Sequence, residues 1–245
     1  MSENQEERQK RIEEIMAPLK GKDGREIVLA LGKGAISAIP YAGGIIAELI
    51  GVVEPDFRLK RLRRFVAELA YDLEKIRTEI NSEYVQKEEC AHIFQRTFRG
   101  VADNYQKEKL DALKAILLNS CLRTDTDEEL KQYLLSTALE LGTLHIRLVS
   151  ILRDPTGFYL KHNIKDQRDS VGMGGSMIES LRECLPDIPE GYIRSVWNDL
   201  YNRNLVNTEA KMLGAMVSNK GSRNFEGRLT ELGKQLADYI TNPAV

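Results

Sequence analysis

The sequence predicts a mainly α protein. An N-terminal helical bundle carries a glycine-rich apolar helical hairpin, and a second part combines helices with a small β ribbon. Three observations lead to this reading. Apolar residues recur at alternating spacings of three and four over long stretches, the repeat of a helix with one buried face. Strand signals are absent from the first 150 residues. The C-terminal third then changes to shorter apolar runs broken by glycine, proline and asparagine, the punctuation of turns and ribbons.

A chain of 245 residues is long enough for two cores, and the change of character sets the boundary at residues 135 and 136. Charged residues make up 29% and apolar ones 42%, with a net charge of −2. That balance excludes a disordered chain and an integral membrane protein, and it offers nucleic acid no broad attraction.

Met1 to Met16 mixes Glu, Arg and Lys as a solvated helix or a frayed arm does, and GKDG at Gly21–Gly24 is a turn. The apolar stretch follows, broken by Pro40 into helices at Ile27–Ala38 and Gly43–Val53. Leu59, Leu62, Val66, Leu69, Leu73, Ile76 and Ile80 then stripe an amphipathic helix over 57–81. A second stripe joins Ala91, Phe94, Phe98, Val101 and Tyr105. A third joins Leu110, Leu113, Ile116, Leu117 and Cys121. Thr126 or Asp127 is placed to cap the helix that begins with Leu130 and Leu134.

Thr143–Leu152 reads as an apolar helix stopped by RDPTG, and Tyr159–Gly175 as a loop. Ser176 is an N-cap for MIESLRECL. EGYIRSVWNDLYNRNLV starts the next helix, with Ile193, Val196, Trp197, Leu200 and Tyr201 on one side. MLGAMV and the segment at Arg228–Leu229 flank the turn-forming tip SNKGSRN, and Thr230 caps the last helix.

Over about Leu139 to Ile240 this order resembles a winged helix-turn-helix. GYIRSVWNDLYNRNLV is similar to a recognition helix, NKGSR to the wing tip, and RLTELGKQL to the strand and helix that follow a wing. The whole chain also resembles a class of bacterial helical proteins. These have a glycine-rich apolar segment, a basic amphipathic helix and a winged-helix-like end. That second resemblance implies no activity.

The winged-helix resemblance implies a partner, DNA or protein, met by Tyr192, Arg194, Ser195, Asn198 and Asn202 on the recognition helix and by Lys220 and Arg223 on the tip. Arg and Asn suit base edges, and tip cations suit phosphates. Against DNA stands neutrality, since Leu139 to Val245 holds thirteen Lys or Arg and thirteen Asp or Glu.

A competing reading makes the chain a membrane-active effector of the kind used in bacterial conflict or defence. Gly34–Val53 is about long enough to cross a bilayer, and Ile45, Ile46 and Ile50 would enter lipid. The adjoining Arg58, Lys60, Arg61, Arg63 and Arg64 would hold anionic headgroups, at about 1 kcal/mol each. Lys33, Glu48 and Pro40 oppose insertion, and each half of the hairpin is the length of a core helix. The expected resting state therefore buries the hairpin under the helix of 57–81, with peripheral membrane contact only on activation.

No catalytic constellation is apparent, so the chain is expected to be non-enzymatic, without cofactor or metal. GKG at Gly32 and GMGG at Gly172 complete no nucleotide-binding pattern. Cys90, Cys121 and Cys184 are dispersed, as free thiols of a reducing compartment are. His145, between Leu144 and Ile146, reads as a core or boundary residue. The N-terminus has no secretory pattern, which suggests a cytoplasmic chain, and the bundle is the part suited to assembly or sensing.

Overall fold

The computed structural model describes residues 5–17, 44, 56–122, 126–167 and 174–244. Among them ten α-helices follow one another: α1 (Gln5–Met16), α2 (Asp56–Lys75), α3 (Glu88–Asp103), α4 (Lys107–Leu122), α5 (Glu128–Glu140), α6 (Thr143–Arg153), α7 (Pro155–Lys161), α8 (Met177–Cys184), α9 (Glu190–Asn202) and α10 (Glu231–Tyr239). They form two compact units, Met1–Glu140 with Tyr239–Val245, and Leu141–Asp238. The sequence reading had placed the border at 135 and kept the chain end with the second part. The hairpin of 27–53 and the GKDG turn lie outside the described residues, apart from Gly44, which is helical. No helix among the described residues is long and apolar enough to cross a membrane.

In the first unit α4 is the central element. Every residue from Ala112 to Cys121 is buried, far more than the single predicted stripe, because α2, α3 and α5 all pack against it. The stripe of α2 is buried at Leu62, Val66, Leu69 and Leu73, and Phe65 meets Phe98 of α3 edge-on at 5.6 Å between centroids. The helix of 57–81 stops earlier than predicted. After Lys75 the backbone tightens into three-residue turns such as Glu79 N–H to Ile76 O, and the Asn81 side chain accepts from the amides of Glu83 and Tyr84. Tyr105, predicted on the stripe of α3, lies beyond that helix and is exposed. Asn104 ends α3 by donating its backbone and side-chain N–H groups to the Gly100 carbonyl.

A helix buried on all sides must satisfy its own polar residues internally. Lys114 of α4 reaches Glu68 at 3.0 Å and Asp72 at 3.2 Å, both on α2. Asp72 is 0% exposed, and its carboxylate also accepts from Arg8 of α1 at 3.0 Å and from the Asn242 amide at 2.9 Å. Asn119 donates to the carbonyls of Tyr239 and Thr241, and Ser120 shares a hydrogen bond with the Tyr239 hydroxyl. The C-terminal segment is thus held to α4 and α2 through polar groups. Lys109, whose ammonium burial pushes down to about 8, donates to the Ala138 and Leu139 carbonyls at the end of α5.

In the second unit α6 is followed directly by α7, which takes up the turn predicted at RDPTG and the first three residues of the loop predicted over Tyr159–Gly175; the loop's other described residues are non-helical. Asp154 accepts from the Gly157 amide, and Pro155 occupies the first helical position, where its missing N–H costs nothing. Ser176 and Glu179 form the predicted cap of α8 in reciprocal form. Asp127 and Thr230 cap α5 and α10 by accepting from Leu130 N and Gly233 N. The β ribbon does not appear as strands among the described residues. Two isolated antiparallel bridges, Val206 with Leu229 and Ser176 with Met216, stand in its place.

Two outcomes test this account. Lys114→Met leaves Asp72 and Glu68 short of a counter-charge, and a loss of about 3 kcal/mol is expected, measured by urea unfolding. Burial pushes the Glu68 carboxyl up, but Lys114 and Arg64 outweigh it and hold the group below its ordinary 4.5. The stability this supplies is present above that ordinary value and is lost as pH falls through the lower folded value. Glu68→Gln is therefore expected to flatten the acid limb of the stability–pH curve below about 4.5. Asp111 runs the other way, burial raising its carboxyl, so the comparison is made against wild type in the same buffers.

Candidate functional site

Helix α9 is built to show one face and hide the other. Pro189 starts it, and Ile193, Val196, Trp197 and Leu200 are buried at helical spacing. Trp197 fixes the rotation by donating its indole N–H to the Thr208 carbonyl at 2.7 Å. Asn204, at φ 56°, ends the helix, and Leu205 N–H bonds back to the Leu200 carbonyl, a left-handed stop that asparagine tolerates. The opposite face exposes Tyr192, Ser195, Asn198 and Asn202. These four expected residues therefore share one surface.

Arg194 does not join them. Its guanidinium donates to Glu190 at 2.9 Å and to the Ala210 carbonyl at 2.9 Å, fastening α9 to the 3-10 turn Ala210–Gly214. Asp199 lies between Arg203 and His145, each at 3.0 Å. His145 is thus a boundary residue bonded to a carboxylate. Arg228 donates to the Asn224 carbonyl and to the Thr208 hydroxyl. The cations around α9 are largely occupied within the unit.

The predicted wing tip is pinned. Its last four residues, with Phe225 after them, form the 3-10 turn Gly221–Phe225, in which Ser222, Asn224 and Phe225 are buried. Ser222 donates its hydroxyl to Asp166 at 2.7 Å, and Asn224 donates to the Ser180 hydroxyl of α8 at 2.7 Å. Gly221, at φ 61°, makes the entry turn. Arg223 points away exposed and Lys220 is half-buried. A short serine-and-asparagine tip folded onto the helices explains why the ribbon is so small.

Sequence reasoning missed a groove of about 280 Å³ beside α9. It is lined by Met177, Tyr201, Met212 and Val217, with Glu209 and Arg228 among its polar residues. Met212 and Met216 are 51% and 65% exposed. The signal was the spacing of MLGAMV, which the ribbon reading assigned to a strand.

Of the expected membrane-contact residues, Ile45, Ile46 and Ile50 lie outside the described residues. Within the basic run, Arg61 donates to the Val101 and Ala102 carbonyls at the end of α3, and Arg64 pairs with Glu68 at 3.0 Å. Arg58 and Arg63 are half-buried, and Lys60 is exposed. The described residues gather no group of three metal-ligating side chains, and the three cysteines are buried free thiols. Comparison with protein-family models, with curated proteins and with solved structures finds no match.

Proposed function

We propose that the chain is a non-enzymatic recognition protein whose second unit is a winged-helix-type module that docks a protein partner. The helices α8 and α9 supply the helix-turn-helix, the two β-bridges supply a minimal ribbon, and the pinned tip supplies the wing. One observation carries the choice of protein over DNA. Around α9 the cations serve internal bonds, while methionine and tyrosine side chains face outward. Phosphate contacts dominate DNA affinity and need available Lys and Arg. Exposed methionine fits irregular apolar partners, and tyrosine supplies contact area with a polar end. The exposed face of α9 and the adjoining groove then form the docking surface.

The test has two arms. Retention on duplex DNA at about 50 mM salt is expected to be weak, and insensitive to Arg194→Ala; strong, salt-sensitive retention that Lys220→Ala with Arg223→Ala abolishes would favour DNA instead. In the second arm, crosslinking capture is compared between wild type and the double variant Met212→Asp with Tyr192→Asp. A partner held by the wild type and lost by the variant, at unchanged melting temperature, is the expected result. A partner held equally by both would remove α9 and its groove from the interface.

A further inference from the structure

The first unit carries a second concavity that the docking surface does not involve. A groove of about 320 Å³ runs between α2 and the start of α4. Along α2 its lining residues fall at Phe57, Lys60, Arg64 and Glu68, one helical face. From the chain just before α4 and the first turns of that helix come Tyr105, Lys107 and Asp111. Phe57 and Tyr105 are 65% and 75% exposed, two large rings in water at the wall of one cavity. Apolar surface of this kind, gathered with charges around a concavity, marks binding sites.

The charges in the groove are not equivalent. Glu68 is held by Arg64 and Lys114, each at 3.0 Å, and Asp111 faces Lys114 at 3.9 Å. The two carboxylates are therefore balanced from within the bundle, and Arg61 is engaged with backbone carbonyls of α3. Lys60 and Lys107 are exposed and make no hydrogen bond or ion pair among the described residues. Lys107 acts on Asp111 through space without an ion pair. Two ammonium groups with no direct bond among the described residues, beside two open aromatic rings, complement one chemical class: a doubly charged phosphate carried on a planar body. The volume lies at the small end of ligand pockets, which limits the body to one base and one sugar.

We propose that this groove binds a nucleoside monophosphate. The base stacks on Phe57 or Tyr105, and Lys60 and Lys107 take the phosphate. Glu68 and Asp111 accept from sugar hydroxyls or a base amine.

The proposal is tested on the full chain by calorimetric titration with AMP and UMP at low salt, beside inorganic phosphate, adenosine and vesicles of anionic lipid. Saturable binding of at least one nucleotide is expected, about tenfold or more tighter than either inorganic phosphate or adenosine. Lys60→Ala with Lys107→Ala, and separately Phe57→Ala with Tyr105→Ala, are each expected to weaken it about tenfold. These residues are exposed, so circular dichroism and melting temperature should stay at wild-type values. Four results overturn the proposal. These are no binding of either nucleotide, equal binding of inorganic phosphate, wild-type affinity in either double variant, and binding to vesicles without binding to nucleotide.

Discussion

The carboxylate of Asp72 is the point on which the first unit depends. Helix α4 is enclosed by its neighbours, yet its sequence contains Lys114, Asn119 and Ser120 along with its apolar residues. Burying a charge is costly unless it is paired and hydrogen-bonded. Asp72 meets that demand for Lys114 and at the same time accepts from Arg8 and Asn242. One buried anion thereby ties α1, α2, α4 and the C-terminal segment together. Apolar packing would tolerate several rotations of these helices. A shared carboxylate tolerates few, because each donor must arrive at its own angle.

The second unit solves a related problem without deep burial of charge. It holds thirteen Lys or Arg against twelve Asp or Glu, and the arginines around α9 are spent on local fastening: Arg194 to the turn that follows, Arg203 to Asp199, Arg228 to the tip. These bonds position Trp197 and the 3-10 turns that frame the methionine-lined groove. They also withdraw guanidinium groups from any phosphate. The outer face of α9, at Tyr192, Ser195, Asn198 and Asn202, is uncharged, which is the composition of a protein interface more than of a nucleic-acid one.

Helix existence was legible in the sequence because it rests on local periodicity. Leu62, Val66, Leu69 and Leu73 are buried as their spacing required, and Ser176, Asp127 and Thr230 cap the helices they precede. Helix ends were less legible where a side chain beyond the stripe decided them, as Asn104 does for α3 and Asn81 after α2. The stop predicted at RDPTG is a helix start for a different reason: Pro155 stands at a first helical position, where proline begins a helix. The predicted loop holds from His162 to Gln167 and at Gly174 and Gly175. What periodicity could not display was pairing across distance. Arg8 with Asp72 and Asn242 with Asp72 join residues remote in the chain, and no local pattern announces them. The common face of Tyr192, Ser195, Asn198 and Asn202 was legible because helical geometry dictates it. The inward bond of Arg194 was not, because its acceptor, the Ala210 carbonyl, is backbone and leaves no trace in the residue type.

The same distinction governs what each surface can recognise. Counted by residue type, the run from Arg58 to Arg64 is the most basic stretch of the chain. Counted by availability, the order changes. Arg61 serves the end of α3, Arg64 balances Glu68, and Lys60 stands with Lys107, a residue far along the sequence that helix packing brings to the same groove. A cation already bonded to a carbonyl or carboxylate must break that bond before it meets a ligand, and the exchange returns little net energy. An ammonium bonded only to water exchanges water for phosphate and keeps the full difference. Charge in the sequence therefore states capacity, and internal pairing decides which part of that capacity reaches the surface. In this protein that pairing, among the described residues, is what supports both proposals: an apolar partner for the second unit and a small cationic site framed by aromatic rings in the first.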